Sequence, residues 1–461
     1  MPRPHRFHPS ILREYDIRGI VGETLTSADA TALGQAFTAL TRERRQKARP
    51  RIAVARDGRL SSPQLEAALI AAIETAGGIA VCLGCGPSPL LYFAVHTLDV
   101  DAGIIVTGSH NPAPHNGFKM MIGGASVFGA DIQNLALRPA GASAPGGGHE
   151  MIDVSAAYID RLVAGLGGSD IGGLAVGWDA GNGAAGDIMR RLTARLPGRH
   201  MLLNETIDGR FPAHHPDPTD PANLVQLQEL VARHRLDLGI AFDGDGDRIG
   251  AVDARGRVVW GDQLLAILSR DVLIAHPGAT IIADVKASQA LFDEVARLGG
   301  QPLMWKTGHS LIKSKMIELQ AKLAGEMSGH IFFADDYYGF DDALFAAIRL
   351  LRTIADHNVS LAQLRDQLQQ FVNTPEIRLA CDDATKFAVI ARIAAALQRD
   401  NARVDLTDGV RIHHPDGWWL LRASNTQPVL VARAEATDAA GLDRLIANMR
   451  HYLAPEGIAL P

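Results

Sequence analysis

Five apolar runs in the chain each end at an aspartate or at a small polar turn. They are IAVARDG at 52–58, GIIVTGS at 103–109, LAVGWDAG at 174–181, LGIAFDGDGD at 238–247 and TIIADVKAS at 280–288. Short apolar runs that are bounded by turn residues are typical of strands buried on both faces. The pattern therefore predicts buried strands whose carboxyl ends carry the polar side chains.

Helical patterns lie between these runs. The segment SPQLEAALIAAIETAG at 62–77 starts with Ser-Pro and stops at Gly, which are terminal signals of a helix. Strands that alternate with helices predict repeated α/β units, in which ligands bind near the carboxyl ends of the strands. Because the spacing of the strand motifs is irregular, the repetition is one of domains rather than of a solenoid.

Changes in the pattern predict three domain boundaries. Glycine-rich stretches at 140–149 and 165–173 mark the first, Arg255-Gly256 marks the second and the segment 372–375 marks the third. The predicted domains are 1–150, 151–256, 257–371 and 372–461. The last domain is predicted to be an α+β unit of a different kind, because a helix is followed by strands with Asp-Gly turns and by a terminal helix.

The charge balance excludes some partners. The 461 residues carry 45 basic and 51 acidic side chains, a net charge of -6, so no positive field attracts the protein to nucleic acid or to anionic lipid. No apolar run approaches the roughly 18 residues that span a bilayer, and the first residues lack the apolar core of a signal peptide. We therefore expect a cytoplasmic protein that binds neither nucleic acid nor membrane.

The most specific motif is AFDGDGDR at 241–248. Its three carboxylates, Asp243, Asp245 and Asp247, are separated by glycines that let the backbone curl, so their oxygens can converge on one hard cation. Mg²⁺ is the natural candidate, because it accepts a few carboxylates and leaves positions for a phosphate oxygen. An acidic surface turn is the alternative, but three aspartates after a buried strand repel one another unless a cation offsets their charge. An EF-hand is excluded because no glutamate stands at the twelfth loop position.

A second motif, TGSHNPAPHNGFK at 107–119, places Ser109 in a stiff turn after a buried strand. A serine in such a loop suits a nucleophile or a phosphate carrier, although Ser109 could equally cap the turn. We expect His110 to be too close in sequence to fold back onto the serine hydroxyl, which disfavours a hydrolase triad. Beside a Mg²⁺ loop, Ser109 is better explained as a phosphoryl carrier. Lys119 could act as an acid or base if neighbouring cations depress its pKa.

A third motif is GEMSGH at 325–330. Glu326 and Ser328 flank one residue, so in an extended loop they would face the same side and could bind vicinal hydroxyls of a sugar. His330 in this motif, and His309 in KTGHSLIKSK, could instead be ordinary loop histidines.

A fourth motif is RASNTQP at 422–428. Arg422 offers a planar fork of donors, and Ser424, Asn425 and Thr426 add hydroxyl, amide and backbone groups. This set could hold a phosphate dianion, or it could form the turn of a hairpin.

The motif GNGAAG at 181–186 supports an alternative function. It follows a buried strand, opens a helix and precedes Glu205 by about twenty residues, as in the dinucleotide-binding fold of a nicotinamide-dependent oxidoreductase. Asp179 counts against this alternative, because a pyrophosphate would meet its negative charge. The segment after Glu205 also breaks the alternation of strands and helices.

Taken in order, these motifs resemble the α-D-phosphohexomutase superfamily and, within it, the bacterial phosphomannomutase/phosphoglucomutase enzymes. The resemblance extends over nearly the whole chain, through REYDIRG, TGSHNP, FDGDGDR, DVKAS, KTGHSLIK, GEMSGH and RASNT. It implies a heart-shaped molecule with a central cleft. Three related α/β domains would be followed by an α+β domain similar to the TATA-binding protein, and each domain would contribute one loop to the cleft.

The resemblance also implies a role for each motif residue. The catalytic group would comprise Ser109 as the phosphoserine together with Lys119, His330, Arg18 and Arg248, with Lys119 or His330 as the acid or base. The Mg²⁺ ligands would be Asp243, Asp245, Asp247 and an oxygen on Ser109. Glu326 and Ser328 would bind the sugar O3 and O4 hydroxyls. Further substrate contacts would come from Tyr15, Lys286, His309, Arg422, Ser424, Asn425 and Thr426.

The activity implied by the resemblance is reversible phosphoryl transfer between O1 and O6 of mannose or glucose phosphates. It would proceed through a hexose 1,6-bisphosphate, with glucose 1,6-bisphosphate as activator and intermediate. An enzyme that reads only O3 and O4 should accept both hexoses, which differ at O2. A phosphoglucosamine mutase of the same superfamily is the alternative, although such enzymes usually carry a different residue in place of Met327. The expected partners are small hexose phosphates, and the expected state is a monomer.

Overall fold

The computed structural model describes residues 5–138, 144–425 and 427–460. These residues form four sheets of seven, five, four and six strands. The first three sheets combine parallel strands with an antiparallel edge, and the fourth is antiparallel throughout. The expected α/β architecture of three related units and a different C-terminal unit is confirmed.

The first sheet has the strand order β1-β5-β4-β2-β3-β7, with β6 paired to β5. Its strands are β1 (Ile17–Ile20), β2 (Arg51–Arg56), β3 (Ile79–Cys85), β4 (Ala102–Val106), β5 (His115–Ile122), β6 (Ala125–Ser126) and β7 (Gly148–Met151). Its helices are α1 (Ser27–Arg45), α2 (Ser62–Thr75), α3 (Ser88–Thr97) and α4 (Ala130–Ala136), and a 3-10 helix at Pro9–Ile11 precedes β1. The loop from β4 to β5 therefore leaves the carboxyl edge of the parallel strands.

The second sheet has the order β12-β11-β10-β8-β9. Its strands are β8 (Ala175–Asp179), β9 (Arg199–Leu203), β10 (Leu238–Phe242), β11 (Ile249–Asp253) and β12 (Val258–Val259). Its helices are α5 (Ser155–Ala164), α6 (Gly186–Thr193) and α7 (Val225–His234), with a 3-10 helix at Pro221–Leu224. Because β12 pairs with β11, the Arg255-Gly256 turn lies inside a hairpin of this sheet. A turn signal alone does not distinguish a hairpin from a linker.

The third sheet has the order β14-β13-β15-β16. Its strands are β13 (Thr280–Asp284), β14 (Gln301–Trp305), β15 (Leu323–Gly325) and β16 (Ile331–Phe333). Its helices are α8 (Gly261–Ala275), α9 (Gln289–Arg297), α10 (His309–Leu319), α11 (Ala343–His357) and α12 (Leu361–Asp366). The loops after β13, β14 and β15 leave the same edge of the sheet, because these three strands are parallel.

The fourth sheet has the order β17-β22-β21-β20-β19, with β18 paired to β22. Its strands are β17 (Val372–Asn373), β18 (Ile377–Ala380), β19 (Arg403–Asp405), β20 (Val410–His414), β21 (Gly417–Ala423) and β22 (Val429–Ala436). Helices α13 (Lys386–Arg399) and α14 (Ala439–Leu453) accompany it, followed by a 3-10 helix at Ala454–Glu456.

Apolar packing is continuous across the first three units. One cluster of buried side chains includes Val81 of β3, Phe242 of β10 and Phe345 of α11. The C-terminal unit has its own cluster around Trp419 and touches the third unit where Trp418 packs on Val285. This continuity fixes the loops of the first three units relative to one another. Within the described ranges, no helix is both long and apolar enough to cross a membrane.

Candidate active site

The serine loop connects β4 to β5 and carries Ser109 in a left-handed conformation, with φ at 49°. The residue is buried, and its backbone N–H donates to Thr107 Oγ1 at 2.9 Å. Its hydroxyl donates to Asp243 Oδ2 at 3.0 Å, across the boundary between the first and second sheets. A non-glycine residue in this conformation is strained by about 1 kcal/mol or more, so the surrounding structure must hold it in place.

His110 does reach its neighbour's hydroxyl, contrary to the expectation from the sequence. Its Nδ1 lies 3.2 Å from Ser109 Oγ, because the left-handed turn at Ser109 brings the two side chains to the same side. Burial lowers the pKa of His110 well below its usual value, and the nearby cationic groups Arg248 and Arg18 lower it further. The imidazole is therefore neutral and can exchange a hydrogen bond with the serine.

The acidic loop follows β10 and brings Asp243, Asp245 and Asp247 together, all with no exposed surface. One carboxylate oxygen from each lies within 4.8 Å of the others. Gly246 has a φ of +71°, which lets the chain curl between the second and third carboxylates. Burial raises the pKa of Asp243 and of Asp247, and the charge of Asp245 raises both further.

Two buried carboxylate oxygens indicate that this loop can bind a cation. Asp245 Oδ1 and Asp247 Oδ1 are buried and have no hydrogen-bond partner. A buried carboxylate oxygen without a partner is costly, and a divalent cation with oxygen ligands would satisfy both atoms. The residues present therefore fit a divalent metal ion.

Lys119 lies on β5 beside the acidic loop, and its environment differs from the expectation. Its Nζ donates to Asp245 Oδ2 at 2.7 Å and to Asp247 Oδ2. Burial alone would lower the pKa of Lys119, but the two carboxylates outweigh it and raise the pKa well above its usual value. The neighbours that decide this pKa are anions rather than the cations expected from the sequence.

Asp245 is held by hydroxyl groups of the first unit. Its Oδ2 accepts from Ser88 Oγ at 2.6 Å and from Thr107 Oγ1 at 3.2 Å. Burial would raise the pKa of Asp245, but Lys119 and the Ser88 hydroxyl more than offset this and lower it. The acidic loop of the second unit is thus tied to the start of α3 in the first.

Arg248 and His330 face one another between the second and third units. Arg248 Nε donates to His330 Nε2 at 3.0 Å, which leaves the ring proton on Nδ1. That nitrogen lies 3.1 Å from Asp341 Oδ2, while Lys313 Nζ donates to Asp341 Oδ1 at 2.9 Å. The ring of His309 stacks on that of His330 with 5.5 Å between centroids. Asp341 is a member of this cluster that the sequence did not single out.

Glu326 and Ser328 lie in a tight turn after β15, not in the extended loop expected from the sequence. The backbone N–H of Gly329 donates to the carbonyl oxygen of Glu326 at 2.9 Å and closes the turn. Glu326 is buried and its Oε1 accepts from Gly308 N at 2.6 Å, whereas Ser328 is partly exposed. Glu326 also lies close to His330, whose Nε2 is 4.0 Å from Glu326 Oε2.

The fourth unit contributes Arg422 and the turn after β21. Arg422 Nε donates to Asp408 Oδ2 at 2.8 Å, and Asn425 Nδ2 donates to the Tyr15 hydroxyl at 2.5 Å. The Tyr15 hydroxyl in turn donates to the carbonyl oxygen of Thr307 at 2.6 Å. Ser424 lies in the same turn, where its Oγ accepts from the backbone N–H of Gln427, and Thr426 lies outside the described residues.

The remaining predicted cleft residues have ionic partners. Lys286 follows β13, and its Nζ lies 3.3 Å from Glu376 Oε2 and 3.8 Å from Asp284 Oδ2. Arg18 Nη1 donates to Asn111 Oδ1 in the serine loop at 2.6 Å, and its Nη2 pairs with Asp16. Arg18 therefore lies beside the loop that carries Ser109, whereas Lys286 is held by two carboxylates.

The dinucleotide-binding alternative conflicts with the geometry at the end of β8. Asp179 Oδ1 accepts from the backbone N–H of Gly181 at 2.9 Å, and its Oδ2 lies 2.9 Å from His214 Nε2. A pyrophosphate bound at this turn would need the amide that the carboxylate already engages. The glycine motif here serves the turn and not a nucleotide.

Phosphoryl transfer needs a positioned oxygen nucleophile and charge stabilisation, and the Ser109 hydroxyl beside the acidic and basic groups could supply both, as expected of a phosphoryl-transfer enzyme. Domain models described as phosphoglucomutase/phosphomannomutase match four consecutive parts of the chain. Alpha/beta/alpha domains I, II and III match residues 9–136, 156–256 and 260–371, and the C-terminal domain matches 376–451. The chain belongs to the phosphoglucomutase/phosphomannomutase family and is a phosphohexomutase, an isomerase that acts on hexose phosphates.

Relatives of known name support this assignment over the full length. The phosphomannomutase/phosphoglucomutase of Pseudomonas aeruginosa is 40% identical over 454 residues, which are 98% of this chain and 97% of the relative. A crystal structure of a phosphoglucomutase/phosphomannomutase family protein from Burkholderia thailandensis is 41% identical, with a TM-score of 0.90, and the match covers 99% of this chain and 100% of that one.

A more distant enzyme shares the fold. N-acetylphosphoglucosamine mutase of Aspergillus fumigatus, 14% identical with a TM-score of 0.62, was crystallised with GlcNAc-6P and magnesium, and the match covers 96% of each chain. A variant of that enzyme with one serine replaced by alanine was crystallised with glucose 1,6-bisphosphate.

Proposed function

We propose that the enzyme interconverts the 1-phosphates and 6-phosphates of glucose and mannose, with Ser109 as the phosphoryl carrier. The observation that carries this proposal is the 3.0 Å contact between Ser109 Oγ and Asp243 Oδ2, where a strained serine meets a buried acidic loop that fits a metal ion. A phosphoryl group on Ser109 would lie beside that ion and within reach of a sugar hydroxyl in the cleft.

Asp243, Asp245 and Asp247 would hold Mg²⁺, together with an oxygen of the phosphoserine. When bound, Mg²⁺ supplies positive charge that stabilises the phosphoryl oxygens in the transition state. The two buried carboxylate oxygens without partners support an oxygen-ligated cation. The magnesium in the fungal mutase of the same fold is consistent with this choice.

The proposed reaction consists of two phosphoryl transfers that use residues of this chain. Ser109 donates its phosphoryl group to the free hydroxyl of a hexose monophosphate, which gives a hexose 1,6-bisphosphate. The bisphosphate turns over and returns its other phosphoryl group to Ser109. Arg248, whose pKa stays high because the nearby carboxylates outweigh its burial, would neutralise the moving charge. Glucose 1,6-bisphosphate would thus be both intermediate and activator.

A proton must leave the attacking hydroxyl and return to the leaving oxygen. Lys119 and His330 are the two candidates for this role, and Arg18 would assist from β1, where it donates to Asn111 of the serine loop. His330 is buried, and its Nε2, the nitrogen that could accept a proton, accepts from Arg248 Nε, so this bond would have to break before the ring could act as a base. Lys119 is engaged by two carboxylates, so it would have to exchange partners before it could act.

Recognition of the sugar would fall to Glu326 and Ser328, which would bind O3 and O4. These hydroxyls keep their relative positions when the sugar reverses, so one pair of residues can serve both orientations. The distal phosphate would be held by residues of the first, third and fourth units, namely Tyr15, Lys286, His309, Arg422, Ser424, Asn425 and Thr426. We also propose that the protein acts as a monomer, because all four units that contribute these groups belong to the same chain.

The proposal is tested by Ser109→Ala with Ser269→Ala as its matched control. Ser269 is also buried, but its hydroxyl donates to the Ala266 carbonyl oxygen within α8, far from the serine loop in sequence. We expect Ser109→Ala to abolish conversion of glucose 1-phosphate and mannose 1-phosphate to the 6-phosphates, and Ser269→Ala to retain it. Wild-type turnover by Ser109→Ala would refute the carrier role.

Substrate preference is tested by the relative rates with mannose, glucose and glucosamine 1-phosphates, with Mg²⁺ and a trace of glucose 1,6-bisphosphate. We expect similar rates with the first two and a much lower rate with glucosamine 1-phosphate. A dominant rate with glucosamine 1-phosphate would favour the alternative mutase of the same superfamily.

A further inference from the structure

A buried guanidinium lies behind the serine loop. Arg59 is 1% exposed, and its five N–H groups all have acceptors. Nη2 donates to the carbonyl oxygens of Ser109 at 2.7 Å and of Asn111 at 2.6 Å. Nη1 donates to the carbonyl oxygens of Pro112 at 2.7 Å and of His115 at 3.0 Å. One side chain therefore gathers four carbonyl oxygens of the loop that carries the serine.

Asp57 completes this arrangement from the carboxyl end of β2. Its Oδ2 accepts from Arg59 Nε at 3.1 Å and from the backbone N–H of Gly108 at 3.0 Å. Its Oδ1 accepts from the backbone N–H of Arg59 at 3.0 Å and from Ser62 Oγ at 2.5 Å. The carboxylate thus neutralises the buried guanidinium and also holds the amide that precedes the serine.

The serine loop packs closely against Arg59 on one side and against the acidic loop on the other. A Cβ added to Gly108 would come within 2.4 Å of Arg59 Nε, and a Cβ added to Gly244 would come within 2.3 Å of the Ser109 carbonyl oxygen. The carbonyl that Arg59 binds is therefore the same atom against which the acidic loop packs. A shift of this carbonyl would therefore move the backbone of Ser109 relative to the acidic loop that carries Asp243.

We infer that Arg59 and Asp57 are positioning residues that aim Ser109 Oγ at the acidic loop. This inference rests on the proposed role of Ser109. The strain of the left-handed serine is then sustained by four carbonyl hydrogen bonds and one amide hydrogen bond from a single buried pair. Neither residue belongs to the groups that would bind the sugar or the distal phosphate, so their loss should slow phosphoryl transfer and spare substrate affinity.

The test is Arg59→Lys, which keeps the buried positive charge beside Asp57 but supplies three donors in place of five. We expect kcat to fall about 100-fold, the effect of a displacement of roughly 1 Å at a reacting atom. The rate at which glucose 1,6-bisphosphate phosphorylates the protein, followed by intact mass, should fall in parallel. The Kd of glucose 1-phosphate, measured by calorimetry, should stay within about two-fold of the wild-type value.

Arg349→Lys is the matched control. Arg349 is also a buried arginine that pairs with a carboxylate and donates to a carbonyl oxygen, both of Asp335, but it lies on α11 away from the cleft residues. Its variant should lose stability without losing kcat. A fall in kcat for Arg349→Lys equal to that for Arg59→Lys would overturn the inference, because general loosening of the fold would then explain both.

Asp57→Asn provides a second variant if Arg59→Lys does not fold. Its amide keeps the size of the side chain but loses the charge and one of the two acceptor oxygens. The remaining oxygen can accept either from Arg59 Nε and Gly108 N or from Arg59 N and Ser62 Oγ, but not from both pairs. The same split, low kcat with unchanged Kd, is expected. If Ser109→Ala keeps turnover, the proposed function fails whatever these variants do. If Ser109→Ala is inactive while Arg59→Lys or Asp57→Asn is phosphorylated at the wild-type rate, the positioning role alone is refuted.

Discussion

Asp408 binds Arg422 through Nε, at 2.8 Å, and not through the two terminal amino groups of the guanidinium. The same carboxylate oxygen accepts from the backbone N–H of Thr307 at 3.0 Å. Burial would lower the pKa of Arg422, but Asp408 outweighs this effect and raises it. Asp408 therefore fixes the orientation of the proposed phosphate-binding arginine and joins the fourth unit to the third.

We expect Asp408→Asn to raise the KM for glucose 1-phosphate about ten-fold, which corresponds to about 1.4 kcal/mol, because the fork of Arg422 would lose its charged partner. The kcat should change little, since neither residue touches the serine loop. Steady-state kinetics checks this expectation. Asp405→Asn, on the same hairpin but bonded to Thr407 N, should keep the wild-type KM. An unchanged KM in Asp408→Asn would contradict the orienting role.

Removal of the metal should stop the reaction. We expect EDTA to lower kcat at least 100-fold and Mg²⁺ to restore it, because the charge of the phosphoryl group would otherwise meet three buried carboxylates. Asp245→Asn should raise the Mg²⁺ concentration needed for half-maximal activity. Asp342→Asn, which also changes a buried aspartate, should leave that concentration unchanged. Full activity in EDTA would disprove the metal requirement.

Stability should depend on pH through Asp342 at the start of α11. Burial raises the pKa of this carboxyl from 3.8 to about 6, although Phe345 N, Tyr337 and Tyr158 donate to it. The folded protein therefore binds a proton that the unfolded chain releases between these values. The resulting stability is complete below about pH 4 and is lost as the pH rises through about 6, a change of about 3 kcal/mol at most.

Asp342→Asn removes this titration. Between pH 4 and pH 7, the free energy of unfolding of the wild type should fall by up to about 3 kcal/mol relative to that of the variant. Denaturant unfolding at several pH values measures it. Parallel stability curves for the two proteins would show that Asp342 keeps an ordinary pKa.

Glu326→Gln should affect glucose and mannose substrates equally. The amide oxygen can still accept from Gly308 N, so the loop should keep its shape, but the charged acceptor for a sugar hydroxyl is lost. We expect kcat/KM to fall about 10- to 100-fold for both 1-phosphates, with their ratio unchanged. A change in the ratio would mean that Glu326 senses O2, where the two sugars differ.

The sequence is sufficient to predict the position of a site residue where a motif coincides with the end of a strand. Asp243, Asp245 and Asp247 follow a buried apolar run, and parallel strands must deliver such residues to one edge. Partners from distant segments were not predictable in this way. Arg59 meets Ser109 across 50 positions, and nothing in the local pattern indicates that pairing. Lys119 was expected to have cationic neighbours, but the sign of its pKa shift depends on which charges surround it in space, and these are the carboxylates of Asp245 and Asp247.

Two other predictions failed because they depended on the local backbone conformation of a loop. The spacing of Glu326 and Ser328 is compatible with a strand and with a turn, and a hydrogen bond between Gly329 and Glu326 decides for the turn. The contact of His110 with Ser109 follows from one positive φ, which no residue type in that loop makes obligatory. Backbone choices of this kind arise from tertiary packing rather than from propensity.

The hydroxyl of Ser109 and the carboxylate of Asp243 are 134 positions apart and belong to different sheets. The proposed reaction centre therefore needs both units. If the chain were divided between β7 and α5, each fragment should be inert when purified separately. Because buried apolar side chains of the first three units also pack in one cluster, such a cut would separate packed surfaces as well as the serine from its carboxylate partner.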